Sequence, residues 1–396
     1  METLSWGGIL THIFLQLSPV WIALIATFWV SIVYKRKLGL YGKLFDSTVG
    51  MIGFAIVMFW VYSALFSNAF GMLMTNDPQF FEVSMKHAVP GEALPDGTGH
   101  YLLGGDKQAR DVFSRMIYGS GIVIMIAPLA TLMAFMVGIT LGLPAGYFGG
   151  KLDTFLSFLA NLILAFPVIL LFYLLVTKEI VQTGLPQYMA AILFLFPLIF
   201  VTVLINSRFY TDPGKRNPML IGVWLVLGWV YLSAISQQGG DSAIAILPSW
   251  LDGLDPDPNI LVVFVSVVFV NSPTVFRIVR GLTLDIKSRD YVAAGQTRGE
   301  GPWYIMLWEI LPNVRGPLIV DFCLRIGYAT ILLGTLGFFG LGLETNSPDW
   351  GTTINLGRGL LRAYAHPVIV PAFALLSLVL GLNLLADGLR EEAMKD

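Results

Sequence analysis

Charge is scarce in this sequence: Asp, Glu, Lys and Arg make up 13% of its 396 residues, against about a quarter in a soluble domain. Hydrophobic residues take 56% and the mean hydropathy is +0.73, which excludes water as the main solvent and puts a lipid bilayer in its place. A net charge of -2 offers no basic field, so no nucleic-acid partner is expected. Cys323 is the single cysteine; a disulfide framework and a Cys/His metal site are both excluded, and no metal or cofactor is expected in this chain. No G-x-S-x-G nucleophile, H-E-x-x-H pair or carboxylate constellation is present, so no catalytic residue is assigned. GYFGGK comes near a phosphate loop, yet Ala145 occupies the first glycine position and Leu152 follows the lysine. Without that motif the chain cannot energise transport itself. The stretch 1–19 lacks the charged start and small-residue cleavage site of a signal peptide, so the first apolar run is expected to be kept.

What remains is a series of apolar runs: 12–34, 48–70, 122–148, 155–176, 188–206, 219–235, 260–275, 318–341 and 368–386. Each is long enough for roughly 30 Å of hydrocarbon, which predicts an all-α polytopic membrane protein of about nine helices. Lys35, Arg36, Lys37 and Lys43 crowd one connection, Arg208, Lys215 and Arg216 a second, and Arg277, Arg280, Lys287, Arg289 and Arg298 a third. By the positive-inside rule all three are cytoplasmic, which leaves the N-terminus outside and the C-terminus inside. The stretches 76–110, 241–259 (with Asp252, Asp255 and Asp257) and 344–366 then face outward. The first is too short and too rich in Gly and Pro for its own core and reads as a loop with small local structure.

The third basic connection is more than a link. Asp290 is placed to cap a short helix YVAAGQTR, with Arg298 in its last turn and Gly299 where helices stop. Gly299, Glu300 and Gly301 permit a sharp turn, Pro302 suits the start of a second helix PWYIMLWEIL, and Pro312 is expected to end it. Trp303, Ile305, Met306, Leu307, Trp308 and Ile310 require burial against some surface, for which a partner protein is the simplest candidate. The alternative is an amphipathic hairpin on the membrane surface.

DYVAAGQTRGEGPWYIMLWEILPN resembles the EAA loop of ATP-binding-cassette importer permeases: Ala294, Gly299, Ile310, Leu311 and Pro312 match Glu-Ala-Ala, a later Gly and a final Ile-Leu-Pro. Ala293 stands where the pattern has Glu, and Gly295 replaces the second Ala. GGDKQARDVFSRMIYGS is similar to a segment of the dipeptide, oligopeptide and nickel branch, C-type subunit, through Gly104, Asp106, Gln108, Arg110, Asp111, Ser114, Arg115 and Gly119, with Ala109 in place of a glycine. LGLPAGYFGGKLD, LAFPVILL, LGFFGLG and the DWG of Asp349, Trp350 and Gly351 follow in that branch's order. The resemblance implies a type I importer transmembrane domain in a bacterial inner membrane, with Tyr291, Ala293, Ala294, Gly295, Gly299, Trp303, Ile310, Leu311 and Pro312 on an ATPase-coupling loop at 285–313. It further implies a second homologous permease, one or two cytoplasmic ATPases that bind ATP and Mg, a periplasmic solute-binding protein and a peptide-like substrate. By this reading 1–43 is an additional helix with its basic loop, 44–115 the first core helix and outer loop, and 116–392 the permease domain with an inserted hairpin at 186–236.

Gly138, Gly142, Gly146 and Gly150 recur every four residues and predict a ridge for close helix packing. Pro167 and Pro197 loosen their helices, as a gate or as a packing kink. Asp321 and Arg325 stand one helical turn apart inside a span, either lining a translocation path or pairing structurally near its end. His12, His87, His100 and His366 are scattered and are assigned nothing. A gradient-driven secondary transporter is the alternative function; it needs midplane polar groups that this sequence has few of.

Overall fold

The computed structural model describes residues 3–236, 247–248, 250–254, 257–341, 344 and 346–393. Asp255 and the last glycine of LGFFGLG lie outside those residues. The regular structure of the described residues is helical apart from a two-stranded antiparallel ribbon, Glu92–Ala93 with His100–Tyr101, and two isolated bridges, Thr3 with Glu92 and Gly105 with Asp111. Among the described residues, 8 helices are long and apolar enough to cross a membrane, and one bent pair brings the number up to 9.

Hydropathy placed the runs well and their ends less well. The expected first span divides in two: Trp6–Gln16, whose first turn Ser5 caps through Gly8 N, and Ser18–Tyr34. Pro19 lacks the N–H that would bond Leu15 O, so the ladder breaks there. The short helix buries Ile9, and Leu4 N donates to Gly91 O at 2.9 Å, which pins the loop 76–110 to the N-terminal segment. The expected runs 122–148 and 260–275 extend to Val112–Phe148 and Pro258–Ile286. Arg277 and Arg280 therefore sit in a helix rather than in a connection. The run 155–176 breaks into Gly150–Leu164 and Val168–Val176, bent by 82°. Pro167 is the residue before the second piece, extended at ψ 121, so it marks a sharp corner and not a softened helix.

The chain forms two compact units, 1–128 with 319–396, and 129–318. Neither 43/44 nor 115/116 is a boundary between units. In the first unit Thr48–Ala64 packs on His366–Ala393 through glycine: a Cβ on Gly388 would fall 2.3 Å from Gly50 Cα. Trp60 meets Trp350 edge-on at 4.9 Å and donates to Ser377 Oγ at 3.0 Å. In the second unit Pro258–Ile286 is the central helix, with Val263, Val265, Val267, Val268 and Val275 fully buried.

The loop 76–110 is ordered by a buried ion pair. Arg110 forks onto Asp106 Oδ2 at 2.8 and 2.7 Å, and Asp106 Oδ1 accepts from the backbone N of Gln108 and Arg110. Closing that turn puts Ala109 at φ 62, a conformation costing about 1 kcal/mol for a residue with a Cβ. Ala109→Gly is expected to raise the melting temperature by about 1–2 °C in detergent; a lower melting temperature would show that the turn does not carry this strain.

Candidate functional site

The hairpin 290–313 begins with Asp290–Thr297. Arg289 takes the cap position and Asp290 the first helical one, so the expected aspartate cap is absent; its charge still lies in the first turn, where the helix dipole favours it. Gly299 adopts φ 80, and its N donates to Gln296 O at 3.0 Å while Glu300 N donates to Gly295 O at 3.2 Å. Those bonds use carbonyls a helix end would otherwise leave unpaired. Gly301 is extended, Pro302 opens the second arm, and that arm widens into a π turn at Ile305–Ile310 before Leu311–Asn313. Pro312 therefore does not end the helix. Its ring crowds the carbonyl four residues back and it has no N–H; widening the turn relieves both, and Asn313 Nδ2 satisfies Glu309 O at 2.6 Å.

Ile305, Met306, Leu307 and Ile310 are buried against Val292, Gly295 and neighbouring helices of the same chain. The burial that the composition demanded is thus met within the chain, which corrects the expectation of a partner on that face. What remains exposed is small and polar: Ala293, Ala294, Gln296, Arg298, Gly299, Gly301 and Pro302, with Trp303 38% exposed. Tyr291 and Leu311 are half-buried and Pro312 is exposed. A methyl at Gly295 would meet Ile305 Cγ1 at 3.6 Å, an ordinary contact, so the position accepts alanine as well.

Three further contacts hold the hairpin. Arg298 Nη2 pairs with Glu309 Oε1 at 2.6 Å across the two arms, Gln296 Nε2 donates to Tyr147 Oη at 3.1 Å, and Trp308 Nε1 donates to Ser207 Oγ at 3.1 Å. The helix that leads into it is laid along the glycine ridge: a Cβ on Gly138 would sit 2.5 Å from Val275 Cγ1, on Gly142 2.9 Å from Val279 Cβ, and on Gly146 2.7 Å from Thr283 Cβ. Lys287 closes the seam by donating to Gly146 O at 2.9 Å, a cation at a helix C-terminus. Gly150 does not continue the ridge; it has φ 62 and nothing within 4 Å, because the helix stops at Phe148. Arg280 forks onto Asp153, with Nη2 to Oδ2 at 2.6 Å, and Arg277 reaches Asn161. None of these three pairings was visible in the sequence. Their only signal was a basic residue within reach of a polar one across two apolar runs.

In the other unit Arg325 Nε donates to Asp321 Oδ2 at 2.7 Å, with the two side chains 9% and 16% exposed. Each charge satisfies the other inside the helix Arg315–Phe339. The same unit holds Arg115, 0% exposed, whose guanidinium donates to Pro78 O at 3.1 Å, Ser347 O at 2.7 Å and Thr353 Oγ1 at 3.4 Å. Burial pushes the carboxyls of Asp111 and Asp349 above the usual carboxylate range, against the donors Ser114 and Thr352 that hold them down.

Against known proteins, the family profile described as binding-protein-dependent transport system inner membrane component matches residues 218–391, the hairpin included. The dipeptide transport system permease protein DppC of Haemophilus influenzae is 30% identical over 295 residues, 74% of this chain and 74% of that one. The glutathione transport system permease protein GsiD of Pectobacterium atrosepticum is 28% identical over 74% of this chain and 71% of its own. The di/tripeptide transport system permease protein DppC of Pseudomonas aeruginosa is 25% identical over 91% and 93%.

Proposed function

This chain belongs to the family of binding-protein-dependent transport inner-membrane components and is a permease subunit of an ATP-binding-cassette importer; from that premise we propose that the hairpin 290–313 is its ATPase-coupling element. The observation that carries the reading is the division of the hairpin's surface. Its apolar side is committed to its own chain, and its exposed tip at Ala293, Ala294, Gly299 and Gly301 is small enough to enter a groove. A rigid protrusion with a narrow tip transmits force better than a mobile one, and the Arg298–Glu309 tie and the π turn's packing make it rigid. Ala293 supplies no carboxylate, so the contact at that position is one of shape.

Around this element the reading places nine spans in the type I importer arrangement, in a bacterial inner membrane, with the N-terminus outside and the C-terminus inside. A second homologous permease completes the translocation path, one or two cytoplasmic ATPases supply the ATP and Mg chemistry, and a periplasmic binding protein delivers solute. The substrate class is a short peptide: the relatives' names specify dipeptides, di- and tripeptides and glutathione, which share peptide bonds and charged ends. ATP binding turns the path outward and hydrolysis resets it. Asp321 and Arg325, already paired at 2.7 Å, act as a structural brace in this cycle.

A mild-detergent pull-down of the tagged chain tests the coupling reading. Wild type is expected to retain an ATPase, and Gly299→Trp and Ala294→Trp to lose it by more than about tenfold, while both variants stay in the membrane. An ATPase retained equally by all three, or by none, would sink the reading.

A further inference from the structure

Trp308 is held from outside the hairpin by the helix Leu195–Arg208, a segment the coupling reading leaves without a task. Ser207 Oγ donates to Leu204 O at 3.0 Å, which uses its one proton and leaves a lone pair for the indole N–H of Trp308 at 3.1 Å. Arg208 sets its guanidinium carbon 4.8 Å from the centroid of the same indole. Two adjacent residues thus grip both the polar edge and the π face of one tryptophan. Deeper in the seam, Phe200 and Val203 face Trp303 and Leu307 across a small apolar cavity. The second arm of the hairpin is therefore fastened to this helix twice, once by packing and once by a polar clasp.

Packing alone would let the arm slide, because apolar contacts have no direction. The clasp fixes register: an N–H that must point at one hydroxyl and a ring that must lie under one cation leave a single arrangement. We propose that the helical hairpin 185–235 is a working part of the coupling apparatus, with Ser207 and Arg208 as positioning residues that make the arm 302–313 and the helix Leu195–Arg208 move as one body. The inference rests on the reading of 290–313 as the coupling element. Its consequence is that a push at the hairpin tip enters the membrane by two routes: along the chain into Arg315–Phe339, and sideways through Trp308 into Leu195–Arg208.

The test uses the assembled transporter with its ATPase, in a Cys323→Ala background. Spin labels at Thr211→Cys, just past the helix Leu195–Arg208, and Glu300→Cys, just before the arm 302–313, report the distance between the two segments, nucleotide-free and after trapping with ADP and vanadate. Cross-linking of Gly299→Cys to the ATPase is scored separately in the same background. The expected result is one distance that holds within about 2 Å through trapping. In Ser207→Ala/Arg208→Ala the distance shifts on trapping and basal ATP hydrolysis rises about fivefold. Lysine at 208, which keeps the cation, restores most of the coupling. Trp308→Phe keeps an aromatic face and loses the N–H, and is expected to give the same changes at about half the size, which serves if the double variant fails to assemble. A distance that changes with the clasp intact, or variants that leave distance and hydrolysis unmoved, overturns the proposal; with the Gly299→Cys cross-link retained, the coupling reading survives that failure. Loss of the cross-link in the otherwise unmodified protein overturns both.

Discussion

Gly142→Leu is expected to abolish transport and to lower the melting temperature of the solubilised chain by about 5 °C, the shift that about 2–3 kcal/mol produces in a chain of this size. A Cβ at that position already falls 2.9 Å from Val279 Cβ and 3.0 Å from Phe276 O, and the second of these is backbone. Leucine adds three more carbons to a place that cannot hold the first. The helices Val112–Phe148 and Pro258–Ile286 must then part or slip. Slippage is the costlier outcome for function, because Lys287 and Thr283 lie farther along the same seam and Asp290 begins the hairpin only three residues after Lys287. The control is Gly222→Leu, in Pro213–Ile235, where nothing described lies within 4 Å; it should leave the melting temperature unchanged. Equal loss in both variants would mean that leucine is harmful anywhere in these spans, and that the ridge has no special place.

That ridge shows how far the sequence could be read and where it stopped. A four-residue glycine period is a local signal, and it located Gly138, Gly142 and Gly146 against a partner helix without naming the partner. It overran at Gly150 because periodicity ignores chain conformation: Gly149 and Gly150 both take positive φ, and adjacent glycines mark an end as readily as a ridge. Hydropathy found the spans but not the turns that lie beyond the apolar runs, since 112–121 is held by Asp111 accepting from Phe113 N and by Arg115 on Ser347 O, and 276–286 by Arg280 on Asp153 and Lys287 on Gly146 O. The hairpin was legible from Gly299 and Pro302, each a local punctuation mark, whereas Pro312 was misread as an end because the π turn that accommodates it leaves no local signal. Its buried side was not assigned correctly, because apolar composition says that a face is covered and never by what. The clasp of Ser207 and Arg208 on Trp308 joins residues about a hundred positions apart, and one sequence carries no signal of a pairing at that distance.

Arg115→Met should cost more than any exposed substitution, about 3–5 kcal/mol, enough to remove most of the protein from the membrane fraction. Methionine fills much of the same volume and so removes the charge without opening a large cavity. What it leaves behind are the carbonyls of Pro78 and Ser347, gathered around a side chain that is 0% exposed, while the Thr353 hydroxyl keeps its bond to Asp349 O at 2.8 Å. Each unpaired buried acceptor costs about 1–3 kcal/mol, and the penalties fall together. Asp106, 3.9 Å from Arg115 Nε, keeps its pair with Arg110, so its own charge is not stranded. The loss is therefore one of organisation: Arg115 gathers the loop at Pro78 and the segment before Trp350 onto the helix Val112–Phe148. Arg115→Lys separates charge from geometry, since an ammonium keeps the cation but lacks the fork that reaches three acceptors at once. Lysine is expected to recover less than half of the lost melting temperature. A Met variant that melts within about 1 °C of wild type would show that the loop 76–110 is held by the Asp106–Arg110 turn and the core of Met85, Ala88 and Tyr101 alone.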